Sequence, residues 1–130
     1  MDAPRIPKEA EATGFIHLKP EIIRMIKENE GGKGEVIELA EKAGVQAVKS
    51  ARDLIPNIRS SEQTHVEVKA WIYPNGIEVK SQLRSPEPAS LESESLMAVI
   101  TALVTLFELC REIDSAIIIS DIKLVRIIRR

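Results

Sequence analysis

The sequence has 130 residues, of which 44% are hydrophobic and 29% charged, a balance that fits one globular domain and excludes global disorder. Eighteen Lys and Arg residues against 20 Asp and Glu residues give a formal net charge of −2, and only 3% of the residues are aromatic. These values argue against a nucleic-acid binder, and the single cysteine, Cys110, excludes an intrachain disulfide and fits a reducing cytoplasm.

The first half of the chain predicts an arm, a strand and two helices. Residues 1–13 alternate charged residues with alanine and include two prolines, which indicates an N-terminal arm in front of a single domain over residues 14–130. A short strand is predicted over residues 14–19. A helix over residues 20–32 begins with a proline and ends at a glycine pair, and apolar residues at three- and four-residue spacing predict a second helix over residues 33–51.

The middle of the chain predicts a β-hairpin. Apolar and polar residues alternate over residues 65–72 and again over residues 77–84, which is the pattern of two half-buried strands. Tyr73-Pro-Asn-Gly between them is predicted to turn the chain. Within it, the pair Asn75-Gly76 is a strong signal for a tight turn, because both residues tolerate a positive φ.

The last third predicts a long helix and a final strand. The helix covers residues 91–112 with Ser90 as its N-cap, and its middle is apolar on nearly every side, which indicates burial between layers or at a subunit interface. The apolar run over residues 96–106 is shorter than the ~20 residues of a membrane span. With a strand over residues 116–127, the order predicts an α+β fold in which helices cover one face of an antiparallel sheet.

The charged residues alone leave several interpretations open. Lys33 lies in a glycine-rich turn before a helix, where it could bind an anion or simply be solvated. Glu108 and Arg111 lie on the same side of the predicted helix, where they could form a surface salt bridge or act as functional groups. Glu94 lies within about 40° of that side and about 21 Å from Glu108 along the helix axis. The two histidines have no partner at ligand spacing, so no metal site is predicted.

Five segments, read in order, resemble one known family. They are Lys33-Gly-Glu-Val, Ala43-Gly-Val-Gln-Ala-Val-Lys, Asp53-Leu-Ile-Pro, Glu92-Ser-Glu-Ser-Leu and Thr105-Leu-Phe-Glu-Leu-Cys-Arg. In this order and spacing they are similar to the molybdenum-cofactor biosynthesis protein C family, whose members are cyclic pyranopterin monophosphate synthases. The resemblance implies a ferredoxin-like antiparallel sheet with helices packed on one face. It also implies a hexamer built from dimers, with active sites at the dimer interface and no cofactor.

The resemblance further implies a reaction and a set of residues. The reaction converts a cyclic dihydroguanosine triphosphate into cyclic pyranopterin monophosphate with loss of pyrophosphate, so the partners are a purine-nucleotide-derived small molecule and further copies of the chain. No nucleic acid or membrane is expected. By position, the catalytic residues are Glu108, Lys33 and Arg111. The substrate-binding residues are Asn57, Ile58, Arg59, Lys49, Glu92, Ser93, Glu94 and, in the arm, Lys8.

Three positions depart from the family pattern in one direction. Arg59 stands where the family has the histidine of a Cys-His-Pro motif, Arg111 replaces a lysine, and Glu108 replaces an aspartate. Arginine binds phosphate well but does not transfer protons near neutrality. Two hypotheses follow: an enzyme in which Glu108 is the acid or base, or a catalytically impaired relative that binds a nucleotide-like phosphate or acts as an oligomeric partner.

Overall fold

The computed structural model describes residues 7–30 and 34–129 of the chain. The elements are β1 (Pro7–His17), α1 (Pro20–Glu30), α2 (Glu35–Leu54), β2 (His65–Tyr73), β3 (Gly76–Arg84), α3 (Leu91–Cys110) and β4 (Ile118–Arg129). This is the predicted order of strands and helices. The predicted anion-binding turn at Lys33 lies outside the described residues.

The four strands form one antiparallel sheet in the order β2-β3-β1-β4. The helices α2 and α3 pack against each other and against the sheet. The core between these layers includes Ile16 and Ile77 from the sheet and Leu103 from α3, all completely buried. The predicted ferredoxin-like α+β fold is therefore confirmed.

The strand β1 is longer than predicted and lies in the interior of the sheet. It begins at Pro7, so the predicted strand start at residue 14 is wrong, and residues 7–13 belong to the sheet instead of an arm. The pattern was misleading because alanine is a weak strand former. Here Ala10 and Ala12 are fully buried on the side of β1 that carries Ile16, where small side chains let α3 lie close.

The predicted hairpin is confirmed, with its turn at the predicted residues 73–76, but the turn type expected from Asn75-Gly76 is not the one formed. The two-residue connection is Pro74 and Asn75, and Tyr73 pairs with Gly76 as the first pair of the ladder. Proline fixes φ near −65°, which excludes the turn type that needs two positive φ angles. Gly76 is required for another reason: a Cβ there would collide with the backbone oxygen of Ile16 on β1.

A close contact between α2 and α3 sets the spacing of the helix layer. Gly44 of α2 is buried, and a Cβ at this position would lie 2.8 Å from the carbonyl oxygen of Ala98 on α3 and 3.0 Å from Val68 on β2. The absence of a side chain at Gly44 therefore allows α2, α3 and β2 to pack closely together.

The helix α3 is a core helix with an apolar outer stripe. The helix α3 is long and apolar enough to cross a membrane, but the buried core helices of soluble proteins meet the same criteria of length and composition. Its inner side packs on the sheet, but Ile100, Val104 and Phe107 on the outer side are 42%, 49% and 37% exposed. Of the two predicted kinds of burial, packing between layers therefore accounts for the inner side of α3 only, and burial of the outer side at a subunit interface stays a prediction. We call these three residues the outer stripe of α3.

Candidate functional site

The start of α3 is joined to the loop that connects α2 with β2. The backbone N–H of Arg59 donates to the Ser90 hydroxyl oxygen (2.9 Å), and the Ser90 N–H donates to the Arg59 carbonyl oxygen (2.8 Å). Ser90 occupies the N-cap position as predicted, but its side chain makes no capping bond to its own helix. Its hydroxyl accepts the hydrogen bond from Arg59 instead. The loop that contains the predicted substrate-binding residues Asn57, Ile58 and Arg59 is therefore held against the start of α3.

The same loop turns sharply and covers Glu94. Asn57 adopts a positive φ of 68°, a conformation that asparagine tolerates better than most residues. The Ser60 hydroxyl then donates to Oε2 of Glu94 (3.1 Å), whose residue is only 1% exposed. Burial raises the pKa of Glu94, and the hydrogen bond from Ser60 opposes that shift. Within the described part of the chain, Oε1 of Glu94 has no hydrogen-bond partner.

A cavity of about 360 Å³ opens between α2 and this loop. Its lining consists of Val48, Lys49, Arg52, Ser60, Ser61, Glu62, Thr64, Val66 and Glu94. Lys49 and Arg52 lie three residues apart on α2, hence on one side of the helix, and both are exposed. The cavity therefore joins two predicted substrate-binding residues, Lys49 and Glu94, with Arg52, which the sequence did not single out.

The remaining residues near the start of α3 make surface contacts. Glu92 pairs with Arg129 at the end of β4 (3.2 Å between Oε1 and Nη2), and Ser93 is exposed. The ammonium group of Lys8 donates to the carbonyl oxygen of Pro86 in the loop before α3 (3.2 Å). Lys8 is thus tied to the segment that leads into this end of the helix.

The other predicted catalytic residues lie at the opposite end of α3. Nε of Arg111 lies 3.1 Å from Oε1 of Glu108, and the two side chains are 52% and 65% exposed. The surface salt bridge that the sequence allowed for these two residues is therefore present. An exposed pair of this kind contributes little to stability, so either partner can exchange it for a ligand at low cost.

A buried carboxylate that the sequence analysis missed holds this end of α3 in place. Asp114 accepts hydrogen bonds from the backbone N–H groups of Lys19 (3.0 Å) and Ala116 (2.9 Å). These two bonds hold the pKa of Asp114 below its usual range. The sequence signal was available, since aspartate commonly bonds the backbone two residues further on. The long-range bond to Lys19, which precedes α1, could not be read from the sequence.

The two groups of site residues do not meet within one protomer. Glu94 and Glu108 are 14 residues apart on one helix, which corresponds to about 21 Å at 1.5 Å per residue. Lys33 lies outside the described residues. Among the residues that the structure describes, no three His, Cys, Asp or Glu side chains are grouped as metal ligands.

Comparisons with known proteins identify relatives over nearly the whole chain. The model of the MoaC family matches residues 2–128. The cyclic pyranopterin monophosphate synthase of Aquifex aeolicus is 32% identical over 117 residues, which are 90% of this chain and 46% of that protein. The probable cyclic pyranopterin monophosphate synthase of Saccharolobus solfataricus is 35% identical over 107 residues, which are 82% of this chain and 72% of that protein. The cyclic pyranopterin monophosphate synthase of a Roseiflexus species is 33% identical over 121 residues, which are 92% of this chain and 77% of that protein. The chain thus spans less than half of the Aquifex protein but about three quarters of the other two.

Proposed function

The chain belongs to the MoaC family, and from this premise we propose that it is a cyclic pyranopterin monophosphate synthase of molybdenum cofactor biosynthesis. The substrate is a cyclic dihydroguanosine triphosphate, and the products are cyclic pyranopterin monophosphate and pyrophosphate. Such a reaction needs cations around the phosphates and a group that transfers protons near the rearranging ring.

The separation of the site residues along α3 is the observation that carries the proposal, because it calls for a second copy of the chain. Glu94 and Glu108 lie at opposite ends of one helix, and the outer stripe of α3 lies between them. If two α3 helices pack antiparallel about a two-fold axis, the end of one meets the start of the other. The midpoint between positions 94 and 108 is position 101, next to Ile100 in the outer stripe, so one contact buries the stripe and completes two sites.

In this dimer the partner's Glu108 and the partner's Arg111 face the substrate held by Arg59, Lys49 and Glu94. The arginines bind the phosphates and stay charged throughout. Proton transfer then falls to the partner's Glu108 and to Lys33. The carboxyl group of Glu108 reaches one methylene further than the aspartate of the family, and the change from Lys to Arg at position 111 leaves a phosphate-binding group there that does not transfer protons.

Pyrophosphate release tests the reaction directly. We expect release from the cyclic dihydroguanosine triphosphate by the native chain, and a loss of about 100-fold or more in Glu108→Gln, the usual scale for general acid–base groups. Glu112→Gln is the matched control, an exposed glutamate at the same end of α3, and should retain the activity. If the native chain releases no more pyrophosphate than Glu108→Gln, the protein is an impaired relative that only binds.

Complementation tests the shared site. Co-expressed Glu108→Gln and Arg59→Ala chains form mixed dimers in which one of the two sites has both residues intact. Random pairing should then restore about a quarter of the native activity, because half of the dimers are mixed and each has one intact site. A site within one protomer predicts no recovery at all.

Assembly and location follow from the same premise. We assign the protein to the cytoplasm, as dimers that associate into a hexamer. We also assign it a heat-adapted source, given its many Ile, Lys and Glu residues. Light scattering and a thermal melt test the last two assignments.

A further inference from the structure

The strand β2 forms one of the two outer edges of the sheet. The order β2-β3-β1-β4 gives β2 a neighbouring strand on one side only. Because Tyr73 pairs with Gly76 across the two-residue turn, the N–H groups of β2 point alternately toward β3 and away from it, and those of Ala70 and Ile72 point away. An edge of this kind can pair with a strand of another molecule.

The second half of β2 has a composition that favours such pairing. Residues 70–73 carry no charge at neutral pH and include Trp71 and Tyr73, which are 43% and 44% exposed. Aromatic and β-branched residues favour strands, and uncharged segments of this kind readily pair with copies of themselves. Glu67 and Lys69 place charges on the first half of the strand, but the second half has none.

The side chain of Glu41 reaches this edge at the first residue of the uncharged segment. Its Oε2 atom accepts a hydrogen bond from the backbone N–H of Ala70 (2.9 Å), a contact that spans 29 positions in the sequence. A groove of about 320 Å³ lies between α2 and β2 beside this contact, and it is lined by Glu41, Lys42, Val45, Gln46, Lys49 and Val68. The body of α2 therefore leaves room along the edge, and the carboxylate of Glu41 crosses it.

We propose that Glu41 closes the edge of β2 against strand addition by a second copy of the chain. A strand that added to β2 would have to place a carbonyl oxygen at the N–H of Ala70, where the carboxylate oxygen of Glu41 lies. The incoming carbonyl dipole would also meet the negative charge of that carboxylate, so the two acceptors repel each other. This inference concerns association at β2 and is independent of the proposed reaction and of the proposed dimer through α3.

The same hydrogen bond also ties α2 to β2, and the experiment must separate this structural role from closure of the edge. Loss of a tie alone lowers the stability of the fold. Loss of edge closure also makes folded molecules associate through β2, at temperatures well below the unfolding transition. The decisive quantity is therefore the size of the folded protein as a function of its concentration.

Light scattering and thioflavin T fluorescence of Glu41→Ala, in the full chain, test the proposal. Under conditions in which circular dichroism shows native and variant chains to be folded, we expect Glu41→Ala to grow beyond the native assembly as the concentration rises. Its thioflavin T signal, which reports stacked β-sheet, should exceed the native signal at least about tenfold. Adding Trp71→Lys to Glu41→Ala should restore the native size, because a lysine protects a strand edge and position 71 lies opposite Glu78 on β3.

Two control variants separate lost stability from an opened edge. Glu38→Ala removes an exposed glutamate one turn earlier on α2 and should keep the native size. Asp114→Ala removes a carboxylate that accepts two backbone hydrogen bonds away from β2, so it lowers stability and should also keep the native size.

Two results would overturn the proposal: a native size of Glu41→Ala across the whole concentration series, or equal association of Asp114→Ala and Glu41→Ala. If Glu41→Ala does not fold, Glu41→Asp gives the same comparison, because its carboxylate falls one methylene short of the Ala70 N–H. It should likewise associate beyond the native size, and a native size would refute closure of the edge by this contact.

Discussion

Gly44→Ala tests the close contact between α2 and α3 that aligns the site. In most helices this change stabilises a protein, since alanine is about 1 kcal/mol better than glycine in a helix interior. Here the new Cβ would lie 2.8 Å from the Ala98 carbonyl oxygen and 3.0 and 3.1 Å from the two methyl groups of Val68. Carbon atoms in ordinary contact are about 3.5–4.0 Å apart, so the helices and the strand must separate by several tenths of an ångström.

The magnitude decides the sign of this effect. Overpacking a core costs about 1–3 kcal/mol, and the backbone oxygen of Ala98 cannot rotate away as a side chain can. Because that oxygen is rigid, we take the upper part of this range, about 2–3 kcal/mol. Subtracting the gain of about 1 kcal/mol in helix propensity, we expect a net loss of about 1–2 kcal/mol, or about 4–8 °C in melting temperature. The assay is urea unfolding followed by circular dichroism at one fixed protein concentration, since dimer formation would make stability depend on concentration.

Ala43→Gly is the control for this prediction, because it sits beside Gly44 at a half-buried position of the same helix. It should lose about 1 kcal/mol through helix propensity alone. If Gly44→Ala proves more stable than the native chain by that amount, α2 and α3 are not in the contact described here.

Two further predictions concern buried carboxylates. Asp114→Ala removes the acceptor of two backbone hydrogen bonds and should cost about 2–3 kcal/mol at pH 7. Because the folded state lowers the pKa of Asp114, that deficit should be fully present above about pH 4 and become smaller as the pH falls through the folded pKa; a deficit unchanged at pH 2 would contradict it. Ser60→Ala removes a hydrogen bond to the ionised form and should raise the pKa of Glu94 further in a carboxyl NMR titration. Ser61→Ala should leave it unchanged, since Ser61 donates to Glu87 instead, and equal shifts in both variants would refute the assignment.

The sequence predicted the fold well wherever side-chain periodicity decides the structure. Strict alternation defined β2 and β3, and three- and four-residue spacing defined the helices. It failed at β1, where Ala10 and Ala12 occupy positions that usually carry larger residues. These two alanines are explained by the close packing of α3 on β1, and that contact joins residues about 90 positions apart in the sequence. Such packing does not appear in a local pattern.

The candidate site was predictable in its residue types but not in its environments. Helical geometry placed Glu94 and Glu108 within about 40° of each other around α3. Glu94 is nevertheless buried and Glu108 exposed, because the loop before β2 covers only the first end of the helix. The hydrogen bond from Ser60 spans 34 positions and the pairing of Arg59 with Ser90 spans 31. Loop contacts of this kind have no periodic signature, so Ser60 and Thr64 were missed. Arg52 of α2 was missed because it lines a cavity that the loop completes.

The energetics of the outer stripe of α3 set the extent of the proposed dimer interface. Fully burying a large apolar side chain stabilises by about 1.5–3 kcal/mol, and the three stripe residues are already more than half buried, so each contributes about 1 kcal/mol. Burial of the outer stripe in both copies therefore stabilises the dimer by about 6 kcal/mol, whereas association costs about 4–15 kcal/mol in lost translational and rotational freedom. The stripe alone is insufficient for a stable dimer.

The additional apolar surface that the dimer needs is available beside the stripe. Ile122 and Val125 of β4 are exposed, and Ile122 borders α3, since it lies with Val99 and Leu103 around Gly14. The register of β4 against β1 shifts at both positions, so the ladder is irregular there. In the proposed dimer, an interface that extends from α3 onto β4 would cover Ile122 and Val125. It would also cover the ion pair between Glu92 and Arg129, which joins the start of α3 to the end of β4. Under the proposed function, formation of the dimer would also close the substrate site, because the same surface supplies both.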